Sequence, residues 1–148
     1  MSEEKPLTIG DWMTENPVTI RSKQTIGEAL RLMFERDVRH LPVVGQGGLI
    51  GVVSDRDIRQ LLGKVRTAVE DPAREGGYLR LSVSEVMSAP PVKVKSSTAI
   101  REAVQIMIDH KFGSLPVVDL DNTVIGIFTE FDALKYCLYL IDRYQEVY

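Results

Sequence analysis

The sequence has few of the residues on which metal sites, disulfides and membrane spans depend. Its 148 residues include one cysteine and two histidines. The lone Cys137 excludes an internal disulfide and a cysteine-based zinc site, because each needs several cysteines. No apolar run approaches the roughly 20 residues of a membrane-spanning helix. We therefore expect neither a membrane protein nor a disulfide-stabilised scaffold.

A surplus of basic residues is also lacking. The chain contains 18 Lys and Arg residues and 21 Asp and Glu residues, which gives a net charge of -3. Proteins dedicated to nucleic acids usually carry a basic surplus, so this balance argues against a nucleic-acid partner. Residues 1–6 lack the apolar core of a signal peptide. With 44% apolar and 26% charged residues, the composition predicts a globular protein located in the cytoplasm.

The sequence does contain an internal repeat. Residues 41–44 and 115–118 both read Leu-Pro-Val-Val, and each is followed by a turn, a second apolar strand and the start of a helix. Such a duplication is a stronger indication of fold than any single motif. An offset of 74 relates the two copies, and it becomes 75 after one residue inserted in the second turn. The matched pairs include Met13 and Met87, Pro17 and Pro91, Gly51 and Gly126, Ser54 and Thr129, and Asp57 and Asp132.

Helical patterns precede the paired strands in both copies. Thr25 and Glu28 form a capping-box pattern, which predicts a helix start. In the second copy Thr98 is the candidate cap. The apolar spacing predicts one buried face on each helix. These faces comprise Ile26, Ala29, Leu30, Met33 and Phe34 in the first copy, and Ile100, Ala103, Val104, Met107 and Ile108 in the second.

The copies suggest a division of the chain into four segments. Residues 8–62 form repeat 1, with its last helix running from Ser54 to about Leu62, and residues 83–138 form repeat 2. Residues 63–82, rich in glycine and charge, are interpreted as a linker with a helical turn near 65–69. Residues 139–148 are predicted to form a helical tail. The helix that contains this tail has more apolar residues than one buried stripe needs, which indicates a partner surface.

The repeated motifs resemble the cystathionine-β-synthase (CBS) domain. The resemblance rests on residues 39–44 and 51–57 and on their second copies, 113–118 and 126–132. It implies an α+β fold of two β-α-β-β-α repeats, packed with pseudo-twofold symmetry and leaving two clefts between them. Members of this family bind adenosine-containing ligands there: AMP, ADP, ATP or S-adenosylmethionine. They commonly form homodimers.

The residues at the two helix starts suit such ligands. Ser54 and Thr129 each follow an apolar strand, and the helix behind them offers unpaired N–H groups and positive potential to a phosphate. Asp57 and Asp132, three residues later, can accept hydrogen bonds from two ribose hydroxyls. The same residues also read as capping boxes that serve only the helix. The two interpretations are compatible, and the sequence leaves both open.

The resemblance also assigns further residues to each cleft. Arg56 of the first copy becomes Phe131 in the second, and Arg39-His40 becomes Gly113-Ser114, so we expect the clefts to differ in phosphate affinity. Pro42 and Pro116 lie in the strands that would flank the ligands. One cleft would hold Thr129 and Asp132 with Thr14, Val18, Thr19, Arg39 and His40. The other would hold Ser54, Arg56 and Asp57 with Ser88, Val92, Lys93, Gly113 and Ser114.

The favoured function is a regulatory module that senses an adenosine nucleotide and signals to a protein target. A constitutive dimerisation scaffold without a physiological ligand is the alternative. The sequence contains no nucleophile elbow, no phosphate-binding loop with its lysine and no metal-binding cluster, so we expect no catalysis and no required cofactor.

Overall fold

The computed structural model describes residues 7–68 and 76–147. The chain divides into two compact units. The first, which we call the split unit, combines residues 1–16 with residues 92–148; the second, the continuous unit, comprises residues 17–91. Each contains one three-stranded sheet and helices. The predicted α+β class is confirmed.

The elements follow the predicted order in the first copy, whereas in the second copy the strand expected before the first long helix is reduced to an isolated bridge between Val94 and Val117. Two short 3₁₀ helices are present, Gly76–Arg80 just before the second copy and Val83–Glu85 at its start. The α-helices are α1 (Ile9–Trp12), α2 (Ile26–Arg36), α3 (Asp55–Ala68), α4 (Ile100–His110) and α5 (Glu130–Val147). The strands are β1 (Thr14–Glu15), β2 (Ile20–Arg21), β3 (His40–Gly45), β4 (Gly48–Ser54), β5 (Ser114–Val118) and β6 (Val124–Thr129).

The continuous unit is built on the sheet β2-β3-β4. Strand β2 runs parallel to β3, and β3 and β4 form an antiparallel hairpin. Helix α2 begins where Thr25 Oγ1 accepts a hydrogen bond from the Glu28 amide at 3.2 Å. The Glu28 carboxylate accepts a bond from Gln24 Nε2. The core includes Ile20, Ile26, Leu41, Val43, Val53, Ile58 and Val83.

The split unit is built on the sheet β1-β6-β5, in which all strand pairs are antiparallel. Helix α1 packs into the same core as α4, since Ile9 and Ile100 are both buried there. The Ile9 and Gly10 amides donate to the carbonyl oxygens of Thr98 and Ser96 at 2.8 Å. These backbone bonds hold Ile9 and Gly10 against the second copy. The rest of the core includes Ala103, Met107, Leu115, Val117 and Phe128.

The lead-in segments of the two copies are exchanged. Thr14, in the lead-in of the first copy, pairs with Ile127 of β6. Ser88, the equivalent residue of the second copy, pairs with Val52 of β4, which is equivalent to Ile127. Each compact unit therefore joins most of one copy to the lead-in of the other. The sequence shows the duplication, but the exchange is visible only in the fold.

The structure corrects the predicted buried faces at one equivalent position in each copy. Phe34 is 89% exposed and Ile108 is 65% exposed, although both were expected inside. At 100° per residue, Phe34 lies about 80° around the helix from Ile26, at the edge of the apolar stripe. Buried Met33 lies nearer the centre of that stripe. The helix also ends within three residues, where Asp37 adopts a left-handed conformation.

Other element boundaries differ in detail. Helix α3 continues to Ala68, six residues beyond the expected end, while residues 69–75 of the predicted linker lie outside the described part of the chain. Thr98 does not cap α4: its Oγ1 accepts a bond from the Lys95 amide, and the cap position is Ala99. The predicted tail is helical and continuous with α5 through Val147. Over residues 7–68 and 76–147, no helix is long and apolar enough to cross a membrane.

Candidate ligand-binding sites at two helix starts

The first candidate site lies where β6 passes into α5. The Asp132 carboxylate accepts bonds from the Thr129 amide at 2.9 Å and from Thr129 Oγ1 at 3.1 Å. In return, Thr129 Oγ1 accepts a bond from the Asp132 amide at 3.2 Å. The capping box predicted from the sequence is therefore present. Asp132 is only 3% exposed, and burial of a carboxylate makes these donors important for stability.

Thr14 completes this site from the other end of the chain. Its Oγ1 donates to Oδ1 and Oδ2 of Asp132 at 3.2 and 3.3 Å, across 118 positions of sequence. Pairing of β1 with β6 places the hydroxyl there. The close approach requires Gly126, because a Cβ atom on that residue would stand 3.1 Å from the Thr14 carbonyl oxygen and would collide with Met13 Sδ.

An aromatic cluster supports the segment that carries Thr14. The Trp12 ring lies 5.4 Å from that of Tyr136 and 5.2 Å from that of Tyr139, both on α5. Such ring pairs add stability beyond the area they bury. Sequence reasoning missed this cluster because no short-range pattern links Trp12 to residues more than 120 positions away.

The second candidate site, in the continuous unit, repeats the capping geometry with fewer hydrogen bonds. The Asp57 carboxylate accepts from the Ser54 amide at 2.9 Å, and Ser54 Oγ accepts from the Asp57 amide at 3.1 Å. Ser88, from the lead-in of the second copy, makes two backbone bonds with Val52 of β4. Across the described ranges of the chain, no hydrogen bond joins the Ser88 hydroxyl to Asp57. Asp57 is half-buried, in contrast to Asp132.

The charges beside the two helix starts also differ. Arg56 is exposed in the first turn of α3, whereas Phe131 occupies the equivalent position of α5. The Nζ of Lys135 lies 4.7 Å from the centre of the Phe131 ring. Each helix start therefore has a cation near it. At α5 this is Lys135, which lies over the Phe131 ring, and at α3 it is Arg56, which is exposed in the first turn. That the two sites differ in phosphate affinity stays a prediction.

The remaining predicted residues fall in both units. The backbone register sets His40 opposite Ser54 and Ser114 opposite Thr129. The Arg39 and Gly113 carbonyl oxygens accept bonds from the first amides of α3 and α5, both at 3.0 Å. The grouping of these residues into two clefts stays a prediction. Val18, Thr19, Arg39, His40 and Pro42 belong to the continuous unit, and Val92, Lys93, Gly113, Ser114 and Pro116 to the split unit.

The split unit contains a shallow cavity that the sequence analysis did not predict. Its volume is about 260 Å³. Lys93, a predicted ligand contact, lies at its wall and donates from Nζ to Asn122 Oδ1 at 2.6 Å. The sequence signal that could have marked it is the one-residue insertion in the turn before β6. The wall consists of Lys93, Val94, Lys95, Val118, Asp119, Leu120 and Asn122.

The fold and the two capped helix starts define a protein built from a duplicated α+β unit, and comparison with known proteins gives its family. The profile of the CBS domain matches residues 9–64 and 83–139. The chain therefore belongs to the CBS domain family and carries two copies of the domain. The resemblance seen in the sequence is confirmed, as is the α+β fold of two repeats that it implied.

Several relatives show how the domain pair occurs elsewhere. The CBS domain-containing protein YhcV of Bacillus subtilis is 38% identical over 120 residues, covering 81% of this chain and 78% of that protein. Homoserine O-acetyltransferase of Methanocorpusculum labreanum is 34% identical over 125 residues, or 84% of this chain, but the chain spans only 23% of that protein. The crystal structure of CBSX2 of Arabidopsis thaliana in complex with AMP is 30% identical, with a TM-score of 0.74 and coverage of 90% of this chain and 98% of that one.

Proposed function

We propose that this protein is a regulatory module that binds an adenosine-containing ligand and transmits its presence to a protein target. The observation that carries the proposal is the duplicated hydroxyl–aspartate pair, Ser54 with Asp57 and Thr129 with Asp132, at the first turn of a helix behind a strand. Relatedness to CBSX2, whose crystal structure contains AMP, supports the ligand class.

The chemistry of each helix start suits the two halves of such a ligand. The positive end of the helix dipole attracts phosphate oxygens, although the first amide of each helix donates to the carbonyl oxygen of Arg39 or Gly113. The aspartates accept hydrogen bonds from ribose hydroxyls, since an ionised carboxylate has about four acceptor positions. AMP, ADP, ATP and S-adenosylmethionine share the ribose and differ in charge. We infer that Arg56 makes the Ser54 site the better one for phosphate-rich ligands.

Calorimetry and thermal unfolding with AMP, ADP, ATP and S-adenosylmethionine test the proposal. A ligand that binds only the folded state at about 100 times its Kd stabilises the protein by about 2.7 kcal/mol, so the melting temperature must rise. Guanosine monophosphate serves as the control for the adenine ring. If no adenosine ligand at millimolar concentration raises the melting temperature, the alternative holds: a constitutive scaffold without a physiological ligand.

We also propose that the module acts without turnover. Sensing a ligand needs no chemical step. A ligand that binds two conformations of the protein with different affinities shifts the population between them. In residues 7–68 and 76–147, no group of three His, Cys, Asp or Glu side chains is placed to hold a metal ion. Hydrolysis of ATP that disappears in Asp132→Asn would contradict this part of the proposal.

We propose further that the protein forms a homodimer through α5. Six large apolar residues of that helix are exposed, and four of them lie at spacings of three, four and three, the spacing found along the seam between paired helices. Lys135 and Asp142 flank this stripe with opposite charges, so an antiparallel second copy meets complementary charge at both ends. A cytoplasmic location remains a prediction. The stripe consists of Phe131, Leu134, Leu138 and Ile141.

A further inference from the structure

The carboxylate of Asp132 is already occupied in the ligand-free protein. Three donor groups reach it: the Thr129 amide, the Thr129 hydroxyl and the Thr14 hydroxyl. The Thr14 hydroxyl has one proton shared between Oδ1 and Oδ2, at 3.2 and 3.3 Å. Hydrogen bonds from a hydroxyl to a carboxylate are usually about 2.5–2.7 Å long. Both hydroxyl bonds, from Thr14 at 3.2 Å and from Thr129 at 3.1 Å, are longer than this, and the Thr129 amide bond at 2.9 Å is the shortest of the set.

We infer that Thr14 is a placeholder, a residue whose hydroxyl occupies the position on Asp132 that a ribose hydroxyl takes when the ligand binds. The inference rests on the proposed function and deepens it. A buried carboxylate needs donors when no ligand is present. Thr129 lies three residues away and is held by the helix start, whereas Thr14 is exposed on a two-residue strand. The Thr14 hydroxyl is thus the donor that yields at least cost.

The equivalent site has no such placeholder. Ser88 bonds to Val52 through its backbone amide and carbonyl groups. In the ranges that the structure describes, Asp57 accepts no bond from the Ser88 hydroxyl and is less buried than Asp132. A ribose hydroxyl at Asp57 displaces no protein donor. A ligand must therefore break a protein hydrogen bond at Asp132 but not at Asp57, and the two sites differ in this respect as well as in charge.

The test compares Thr14→Val with the wild type, because valine keeps the branched shape and removes the hydroxyl. Its unliganded melting temperature should fall by a few degrees, since a buried acceptor loses a donor. AMP should bind the Asp132 site of this variant about tenfold more tightly, because no protein hydrogen bond has to break. 2′,3′-Dideoxy-AMP, which has no ribose hydroxyl to offer, should bind the variant no more tightly than the wild type.

Two further variants control for fold and chemistry. Thr14→Ser keeps the hydroxyl and should match the wild type in melting temperature and AMP affinity. Thr123→Val makes the same chemical change in the exposed turn before β6 and should leave both quantities unchanged. Trp12, the only tryptophan of the sequence, lies two residues from Thr14. Its fluorescence reports binding at this site separately from the site in the continuous unit.

The outcomes separate the inference from the function on which it rests. Unchanged or weaker AMP binding in Thr14→Val, with binding by the wild type intact, overturns the placeholder and leaves the proposed function standing. Equal tightening of AMP and its dideoxy analogue overturns it as well. Binding by Thr14→Val but not by the wild type supports it. Binding by neither protein overturns both the inference and the proposed function.

Discussion

Gly51 and Ser88 approach each other so closely that no side chain fits between them. A Cβ atom on Gly51 would stand 2.9 Å from the Ser88 carbonyl oxygen and 2.6 Å from Met87 Sδ. That carbonyl oxygen accepts a bond from the Val52 amide at 3.1 Å, so it is held in place. Glycine at this position allows the lead-in of the second copy to reach β4. Gly126 has the equivalent role beneath Thr14.

Replacement of Gly51 by alanine should therefore destabilise the protein. We expect Gly51→Ala to lower the free energy of unfolding by about 1–3 kcal/mol, the usual cost of overpacking. Gly63→Ala is the matched control, because a Cβ on Gly63 meets nothing within 4 Å and the residue lies inside α3. Removing a glycine from a helix should raise stability by about 0.5–1 kcal/mol. Urea unfolding measures both, and a change of the same sign in the two variants would refute this account of the contact.

The two aspartates should contribute unequally to the stability of the fold, and each should contribute to ligand affinity at its own site. The buried carboxylate of Asp132 accepts hydrogen bonds from three donor groups. We therefore expect Asp132→Asn to lower the free energy of unfolding by about 1–3 kcal/mol while the chain still folds. Asp57→Asn, at a half-buried position with fewer donors, should cost less.

Ligand binding gives a second readout for the same pair. Each variant should weaken AMP binding at its own site about tenfold, because the ribose loses a charged acceptor. Calorimetry measures the two affinities. The ribose role is wrong if Asp132→Asn leaves the affinity of both sites unchanged.

Neighbouring residues of α2 should respond in opposite ways to truncation. Met33 is 6% exposed and Phe34 is 89% exposed. Met33→Ala should lower the free energy of unfolding by about 2–5 kcal/mol, since it opens a cavity in the core. Phe34→Ser should change it by no more than about 0.5 kcal/mol. Denaturant titration distinguishes the two, and a large loss in Phe34→Ser would show that this side chain is covered in solution.

Self-association should depend on the exposed stripe of α5. Leu138→Glu places a charge at its centre, where a second copy would have to bury it, so the variant should be monomeric. Leu120→Glu is the control, because Leu120 is 87% exposed in the turn before β6, outside the stripe. Light scattering at micromolar concentration measures the mass of each. A monomeric wild type, or a dimeric Leu138→Glu, would contradict dimerisation through this face.

The amino-acid sequence alone determined the features that depend on residues close together in the chain. The pairs Ser54–Asp57 and Thr129–Asp132 are three residues apart, so their capping geometry follows from local backbone conformation. The duplication and the apolar strands are likewise readable, because each copy repeats the same short-range pattern. The family and its α+β fold followed from these observations.

Only the tertiary structure decided which distant residues meet. Thr14 bonds to Asp132 across 118 positions, and the lead-in of each copy joins the sheet of the other, because pairing of strands is non-local and leaves no periodic signal. Exposure of Phe34 was likewise decided by where α2 ends and how much of its face the sheet covers. Hydrophobic spacing indicates that a helix has a buried side, but the width of that side is set by what packs against it.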